Sequence, residues 1–207
     1  MRCNKYPAKD KEGENMNLIN LKGKVVRVFT GKRYTILTIF VDGYRKNFPT
    51  VMYKNSDVTF PVKVGDFVTV EGNIKVRILD TEGTTHVHQF IKGTKLELAV
   101  DALTEKFGVP LEGRYEYLNE VFISGVVQRI IPQNNVVRLL VRPDGCKFNV
   151  LVNTYERYPV AFAERYKEGT RVCVKGEIQT TVKDGPDGNR HFENLVCRDI
   201  AIDEKNE

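Results

Sequence analysis

Two arginines alternate with aliphatic residues in one predicted strand of the second half of the chain. Arg138 and Arg142 share one face of this strand, and Val137, Leu139 and Val141 occupy the other. A period of two is typical of a half-buried strand, with one face in the core and one in solvent. Guanidinium groups on the solvent face can form strong hydrogen bonds with phosphates and carboxylates. The pattern therefore indicates a surface for an anionic partner.

The net charge agrees with this interpretation without identifying the partner. The chain has 207 residues and a net charge of +5. The segment from Lys22 to Lys95 holds 13 Lys and Arg against 6 Asp and Glu, a difference of +7. The segment from Glu120 to Arg198 holds 12 against 9, a difference of +3. Mild basicity of this kind fits an anionic partner, and the alternative is a solvated surface of mixed charge.

One strand pattern occurs twice in the chain. Gly65–Ile74 and Gly169–Ile178 share two glycines at a shift of 104, because 169 − 65 equals 176 − 72. We expect a bulge or a sharp bend at Gly176, since glycine inside a strand often marks such a site. The later copy has an apolar face predicted to point inward, with Val172, Val174 and Ile178, and a polar face predicted to point outward, with Arg171, Lys175 and Glu177. The repeat predicts that the chain contains two copies of one β-module.

Two modules of about 100 residues each fall in the common range of domain size. The first 15 residues are polar and lack periodicity, so we expect them to be disordered. The segment between the modules contains a short possible helix over residues 102–107. The predicted organisation is an N-terminal extension at 1–15, a first module at 16–100, a connector at 101–118, a second module at 119–203 and a tail at 204–207.

Each module contains five predicted strands in the same order. In the second module the third strand is predicted from Lys147 to Asn153, and the best helix of the chain, Val160–Lys167, follows it. A long polar tip then joins the fourth and fifth strands. This order is typical of the OB-fold, a small, partly open Greek-key barrel. We predict an all-β chain of two tandem OB-folds, five-stranded Greek-key barrels, with a short helix between strands three and four of the second.

Three motifs of the second module carry a family resemblance. They are the helix end Phe162–Gly169, the strand Gly169–Ile178 with its pattern G-x-x-V-x-V-x-G-x-I, and the tip Asp187–Phe192 that enters the apolar strand Leu195–Ile200. In this order they resemble the bacterial single-stranded DNA-binding protein family over most of the module. The first module is similar more loosely, through Lys22–Val25 and Gly65–Ile74, and also resembles the related primosomal OB-fold proteins.

The resemblance implies a protein that binds single-stranded DNA with little sequence preference, in replication, recombination or transfer. The family stacks bases on tryptophans, and this chain has none. Phe148 stands where one of these rings begins the third strand, and Phe48 has the matching place in the first module. Related proteins work with four OB modules, so the resemblance also implies a possible homodimer, and replication or recombination proteins as possible partners.

Binding an unpaired strand requires cations for its phosphates and rings for its bases. In the second module the candidate cations are Arg129, Arg138, Arg142, Lys147, Lys175, Lys183 and Arg190, and the candidate rings are Phe148 and Phe192. In the first module the cations are Lys24, Arg27, Arg33, Lys46, Lys75 and Arg77, and the rings are Phe40, Phe48 and Phe90, with Tyr34 as a further ring. The alternatives are that each Phe belongs to the core and that each cation only aids solubility. Phe148 shares its strand parity with Val150 and Val152, which favours the core.

The sequence contains no signature of an enzyme, a metal site or a cofactor site. It lacks a glycine-rich phosphate loop, an H-E-x-x-H helix and a G-x-S-x-G turn, so we expect no enzymatic activity. Its four cysteines, Cys3, Cys146, Cys173 and Cys197, are spread singly, so we expect reduced thiols and no zinc. No apolar run approaches the ~18 residues of a membrane helix, and the default is a cytoplasmic protein.

Two other functions remain open at this point. One is an adaptor of a replication or mobile-element complex, in which the OB-folds bind protein; the missing tryptophans and the nearly balanced charge of the second module favour it. The other is single-stranded RNA binding, because stacking on a ring does not sense the 2′-hydroxyl.

Overall fold

The computed structural model describes residues 16–41, 47–81, 84–99, 117–183 and 190–203. The first module consists of β1 (Asn17–Thr30), β2 (Tyr34–Phe40), β3 (Thr50–Lys54), β4 (Phe67–Thr81) and β5 (Thr84–Leu98), with a 3-10 turn at Asn55–Asp57. The predicted disordered N-terminus, the connector at 101–116 with its possible helix, Lys46 and the tail at 204–207 lie outside the described residues.

The second module consists of β6 (Leu118–Gln133), β7 (Val136–Pro143), β8 (Val150–Tyr155), α1 (Pro159–Arg165), β9 (Arg171–Lys183) and β10 (Arg190–Ile202). The predicted helix between the third and fourth strands is therefore confirmed. Proline at its first position suits a helix start, since its missing N–H has no partner there in any case. Gly169 has a φ of +87° in the turn before β9, a conformation that favours glycine.

Both sets of five strands close into barrels of the same connectivity. In barrel 1, β1 pairs with β2 and β4, β2 with β3, β3 with β5, and β5 with β4. In barrel 2, β6 pairs with β7 and β9, β7 with β8, β8 with β10, and β10 with β9. The third and fifth strands of each barrel pair in parallel. This Greek-key arrangement is that of the OB-fold and confirms the predicted fold class.

The described residues divide into two compact units. The first unit holds those in 19–73 and 90–119, and the second holds those in 16–18, 74–89 and 120–203. The distal halves of β4 and β5, residues 74–89, thus belong to the second unit, although their strands begin and end in barrel 1. Within the second unit, Asn17 fastens the start of this hairpin: its side chain donates to the carbonyl of Ile74 at 3.0 Å and accepts from the N–H of Ile74 at 2.9 Å.

Glycines at equivalent positions allow the first two strands of each barrel to approach closely. A Cβ on Gly125 would lie 2.2 Å from the carbonyl oxygen of Arg142. A Cβ on Gly23 would lie 2.1 Å from the carbonyl oxygen of Phe40. No side chain fits at either distance, so glycine is required at both positions.

β9 contains the repeated pattern, and its apolar face is buried as predicted. Gly176 is a point of close approach: a Cβ there would lie 2.5 Å from the carbonyl oxygen of Val196. The bulge of this strand pair lies on the partner strand, between Cys197 and Asp199 of β10. The buried apolar side chains of β9 are Val172, Val174 and Ile178.

The polar face of β9 differs from the prediction at Glu177. This side chain was expected to point into solvent, and it is buried. Its carboxylate forms an ion pair with Arg198 of β10 and accepts a hydrogen bond from the amide of Gln179 at 2.7 Å. A buried charge is tolerated when it is paired in this way. The partner strand therefore covers a residue that the sequence pattern assigned to solvent.

A bulge in the first strand of each barrel reverses the alternation of its side chains. In β1 the register shifts between Val25 and Arg27, and in β6 it shifts between Val127 and Arg129. One extra residue moves every following side chain to the opposite face. Val25 and Val127 are buried, whereas Arg27 and Arg129 are exposed. The bulges thus place one arginine on the outer surface of each barrel.

The inward faces of the strands form a separate core in each barrel. Barrel 1 buries, among others, Leu21, Val25, Leu37, Ile39, Val51, Val68 and Val70, and barrel 2 buries Val121, Ile123, Val127, Leu139, Val141, Val152 and Leu195. Within the described ranges no helix has the length and apolar character needed to cross a membrane.

Candidate nucleic-acid interface

The outer face of β6, β7 and β8 gathers three of the predicted cations around an aliphatic centre. Leu140 lies in β7 between Arg138 and Arg142, and it pairs with Arg129 of β6 and with Leu151 of β8. All three arginines are exposed, and the two leucines are half-buried. We call these five residues the arginine face. Directly opposed residues have their Cβ atoms about 5 Å apart, so the guanidinium groups surround one apolar strip.

Few protein groups compete for these cations. The Nε of Arg142 donates to the side-chain carbonyl of Asn149 at 3.2 Å. Within the part of the chain that the structure describes, none of the three arginines has a carboxylate within 4.0 Å. Their positive charge is therefore available to an external anion.

A cavity of about 300 Å³ adjoins the arginine face in the second unit. Phe192, which is 40% exposed, lies in its wall, and Leu140 and Leu151 line it too. The side chain of Gln89 closes one side, because its amide donates to the carbonyl of Leu151 at 3.4 Å and accepts from the N–H of Leu151. The remaining lining residues are His88, Asn149, Glu193 and Asn194. The cavity thus combines a ring, an aliphatic floor and amide groups.

A second cavity brings together three residues that the sequence predicted for the site. Lys75, Lys147 and Phe148 line this cavity of about 280 Å³ in the second unit. Phe148 is 46% exposed in the turn before β8. The third strand begins at Val150, later than predicted, so Phe148 does not share the buried face of the strand. The parity that favoured a core position therefore does not apply to this ring.

The outer face of β1 and β2 in barrel 1 also combines cations and rings. Lys24 pairs with Phe40, and Arg27 pairs with Thr38. The ring centroids of Phe40 and Phe48 lie 5.4 Å apart. Both rings are half-buried, and Phe40 also contacts Tyr117 edge-to-face at 5.3 Å. Barrel 1 therefore brings Lys24, Arg27, Phe40 and Phe48 together, with more of its ring surface covered than in barrel 2.

Lys175 lies away from the arginine face and already has a partner. It stands in β9, and its cross-strand neighbour is Phe122 in the early part of β6. Its Nζ lies 2.8 Å from a carboxylate oxygen of Glu120 and 5.3 Å from the centroid of the Phe122 ring. A second anion would have to compete with Glu120 for this ammonium group.

The other predicted residues are placed individually. Arg33 is exposed before β2 and next to the exposed ring of Tyr34, Arg77 is exposed in the distal half of β4, and Phe90 is half-buried in β5. The backbones of Lys183 and Arg190 end β9 and begin β10, and their side chains lie outside the described part of the structure.

The three most exposed rings among the described residues were not among the predicted site residues. Phe29 is 56% exposed on the outer face of barrel 1, where it pairs with Ile36. Tyr155 and Tyr158 are 64% and 67% exposed at and beyond the end of β8. Strict alternation assigns Phe29 to the core face of Val25, and only the bulge reverses it. The two tyrosines could have been found as paired rings in the polar stretch before α1.

One cysteine of the second unit has a perturbed pKa. Burial raises the pKa of the Cys197 thiol to about 12, with Asp199 and Glu156 adding to the effect. Its thiolate, the nucleophilic form, is therefore scarce at neutral pH. Among the described residues no three His, Cys, Asp or Glu side chains are grouped closely enough to hold a metal ion.

Two OB-folds in one chain define a tandem OB-fold protein, and solved structures share this architecture. The wild-type single-stranded DNA binding protein from Thermus aquaticus is similar with a TM-score of 0.64 and 16% identity, covering 93% of this chain and 95% of that chain. A deletion mutant of the same protein gives a TM-score of 0.63 and 16% identity, covering 93% and 97%. At this identity the similarity shows the fold alone. No protein-family model matches the chain, and no curated protein matches its sequence.

Proposed function

We propose that this chain binds single-stranded DNA with little sequence preference, as a tandem OB-fold relative of the bacterial single-stranded DNA-binding proteins. The observation that carries the proposal is the arginine face beside the Phe192 cavity. Exposed guanidinium groups follow the phosphates, and the exposed ring and aliphatic strip receive the bases. A duplex keeps its bases stacked inside, so a site of this kind favours an unpaired strand.

Barrel 1 supplies a second surface in this proposal. Its outer face offers Lys24 and Arg27 to phosphates, and it offers Phe29 and Tyr34 as its most exposed rings. The full proposed interface comprises the arginine face, the two cavities and this barrel 1 face, with Arg33, Lys46, Arg77, Phe90, Lys183 and Arg190 as further contacts. Lys175 contributes least, because Glu120 neutralises it.

The role that follows is to protect or organise single strands during replication, recombination or transfer in the cytoplasm, by binding rather than by catalysis. The fold shared with the Thermus aquaticus protein supports this role, since that protein is named for single-stranded DNA binding. A homodimer with four OB-folds, and an association with replication or recombination proteins, stay predictions from the family resemblance.

The first test is fluorescence anisotropy of a labelled oligo-dT across a range of salt concentrations. We expect tight binding that duplex DNA does not displace, with affinity falling as salt rises. The double variant Arg138→Ala, Arg142→Ala should lower the salt slope by about 1.4, since each lost phosphate contact removes about 0.7. Matched RNA and DNA competitors measure the preference for either strand.

Lys175→Ala is the matched control, because it removes a cation of the same barrel whose charge is already paired. We expect its salt slope to equal that of the unchanged protein. Absence of oligo-dT binding at low salt would contradict the proposal and favour the adaptor. Equal effects of the double variant and of Lys175→Ala would move the site away from the arginine face.

A further inference from the structure

Two exposed tyrosines lie at and beyond the end of β8 and have no role in the interface described above. Tyr155 is the last residue of β8, and Tyr158 directly precedes α1. The ring of Tyr158 is covered on one side by Arg157, whose guanidinium carbon lies 5.6 Å from the ring centroid. The side chain of Tyr158 forms no hydrogen bond that caps the helix. Two aromatic rings are therefore presented to solvent without a structural function for their exposed surface.

Tyr155 continues the arginine face along the same strand. Tyr155 pairs with Val136, and the next outward pair joins Arg138 to Asn153. Tyr155 and Arg138 are therefore diagonal neighbours on one face, with Cα atoms about 7–8 Å apart. Leu151 lies on the same face four residues before Tyr155, a distance of about 13 Å along the strand. A strand bound on the arginine face reaches Tyr155 without leaving the sheet.

A groove of about 630 Å³ opens next to both tyrosines. Its walls include Phe162 and Tyr166, whose ring centroids are 4.6 Å apart. The hydroxyl of Tyr166 donates to the carbonyl of Ile200 at 3.1 Å, which holds this wall in place. The groove in the second unit thus has a partly aromatic wall, and this hydrogen bond holds part of the wall in position.

The charges around the groove assign different places to base and phosphate. Two carboxylates, Glu156 and Asp199, line the groove and disfavour an anion inside it. Three guanidinium groups accompany them. Arg165 lines the groove, with its central carbon 5.2 Å from the ring centroid of Tyr166. Arg198 also lines it and is paired with Glu177, and Arg157 lies over Tyr158. A neutral base can enter next to the rings while the backbone remains near the arginines.

We propose that Tyr155 and Tyr158 form a second base-stacking subsite, which extends the path of the bound strand from the arginine face to the mouth of this groove. Arg157 provides a phosphate contact at this point. The proposal rests on the proposed function. It adds the route that the bound DNA takes across the sheet and the extent of the surface that it covers. Continuity with the arginine face favours nucleic acid over a protein partner as the occupant.

The test compares oligo-dT lengths from about 4 to about 32 nucleotides, the range of one to two OB modules. Short oligomers occupy the arginine face alone, and longer ones also reach the tyrosines. We expect Tyr155→Leu and Tyr158→Leu each to weaken the binding of the longer oligomers at least fivefold. This factor corresponds to about 1 kcal/mol, the lower bound for stacking of one base. Binding of the shortest oligomers should not change. Tyr155→Phe and Tyr158→Phe keep the ring, so the affinity of these variants should still increase with the length of the oligomer.

A second readout uses salt dependence. Arg157→Gln should lower the salt slope by about 0.7 for the longer oligomers only. Leucine variants that bind every length like the unchanged protein would overturn the subsite and leave the proposed function intact. Leucine variants that weaken all lengths equally would also overturn it, because the tyrosines would then belong to the first contact. Loss of all binding in the unchanged protein is the distinct result that contradicts the proposed function itself. Urea unfolding midpoints confirm that each variant is folded.

Discussion

Barrel 1 and barrel 2 share the residues that shape the backbone and differ in those that face solvent. Gly23 and Gly125 stand at equivalent positions, since 23 + 102 = 125, and both meet a carbonyl oxygen of the second strand. The same shift relates Arg27 to Arg129 after the bulges. The outer residues of the second strand diverge: Ile36, Thr38 and Phe40 in barrel 1 correspond to Arg138, Leu140 and Arg142 in barrel 2.

This difference separates two kinds of constraint. A position where a Cβ would lie about 2 Å from a carbonyl accepts only glycine, whatever the surface binds. A position on the outer face of a strand can change its charge without disturbing the barrel. The arginine face is therefore a property of barrel 2 alone, and barrel 1 presents a face with fewer cations and more aromatic contacts.

The cores also differ, through one pair of neighbouring residues. In barrel 1 the parallel register of β3 and β5 brings the buried ring of Tyr53 next to Gly93, where a Cβ would lie 2.1 Å from the ring. The equivalent pair in barrel 2 is Thr154 and Cys197, by the register of β8 and β10. Barrel 1 thus combines the large side chain of Tyr53 with a glycine, whereas barrel 2 has two side chains of intermediate size at the equivalent positions.

The largest effect that we predict follows from this pair. Gly93→Cys should lower the free energy of unfolding by about 3 kcal/mol, because the new side chain overlaps the fully buried ring of Tyr53. The measurement is urea unfolding followed by far-UV circular dichroism.

The double variant Tyr53→Thr, Gly93→Cys reproduces the pair of barrel 2 and provides the control. Its loss of stability should be at least 1 kcal/mol smaller than the sum of the losses of Tyr53→Thr and Gly93→Cys, because the overlap is gone. Additive losses in the double variant would show that the two positions are not coupled and that the correspondence between the barrels fails here.

The fold was predictable because its signals are local. Alternating apolar residues, the paired glycines of Gly65–Ile74 and Gly169–Ile178, and the helix before Gly169 each report on a few neighbouring residues. Together these signals are compatible with only a few strand arrangements, and the OB-fold agrees with every one of the signals.

The candidate site was less predictable, because it depends on register and on distant partners. Strict alternation places Phe29 and Arg129 on the core face, and the bulges place both outside. Lys175 looked available, but Glu120 lies 55 positions earlier in the chain (175 − 120) and pairs with it. Glu177 looked exposed, but Arg198 of the next strand covers it. None of these pairings has a signal in the neighbouring residues.

A smaller effect compares one buried tyrosine of each unit. The hydroxyl of Tyr53 donates to the carbonyl of Lys95 and that of Tyr166 to the carbonyl of Ile200, both at 3.1 Å. Tyr53→Phe and Tyr166→Phe should each lower the free energy of unfolding by about 1 kcal/mol at pH 7, since one hydrogen bond is lost.

The pH dependence of stability distinguishes the two tyrosines. Burial raises the pKa of Tyr53 strongly, and burial also raises the pKa of Tyr166, where Arg165 opposes the shift. A tyrosine whose pKa is raised in the folded state stabilises the fold at every pH below its unfolded pKa of about 10. This stabilisation is lost as the pH rises above that value towards the pKa of the folded state. Tyr53→Phe should therefore flatten the decline of stability between pH 9 and pH 11 more than Tyr166→Phe. Equal profiles would show that the two sites are equally solvated.

The smallest predicted effect tests whether the two outer faces serve one ligand. Arg138→Ile gives barrel 2 the residue of barrel 1 at this position, and Ile36→Arg makes the reciprocal change. Arg138→Ile should reduce the salt slope of oligo-dT binding by about 0.7, which is about threefold in affinity over a fourfold change in salt. Arg138→Lys is the control, because it keeps the charge and should keep the slope.

Ile36→Arg then decides the role of barrel 1. Arg27 lies on the same outer face, so an arginine at position 36 would stand beside a phosphate path if barrel 1 carries the strand. We expect the combined variant Ile36→Arg, Arg138→Ile to regain the slope of the unchanged protein, since the number of neutralised phosphates is restored. A combined variant with the reduced slope of Arg138→Ile alone would show that phosphates do not pass over this face of barrel 1. The arginine face would then act without its counterpart, and the two barrels would share a fold but not a ligand.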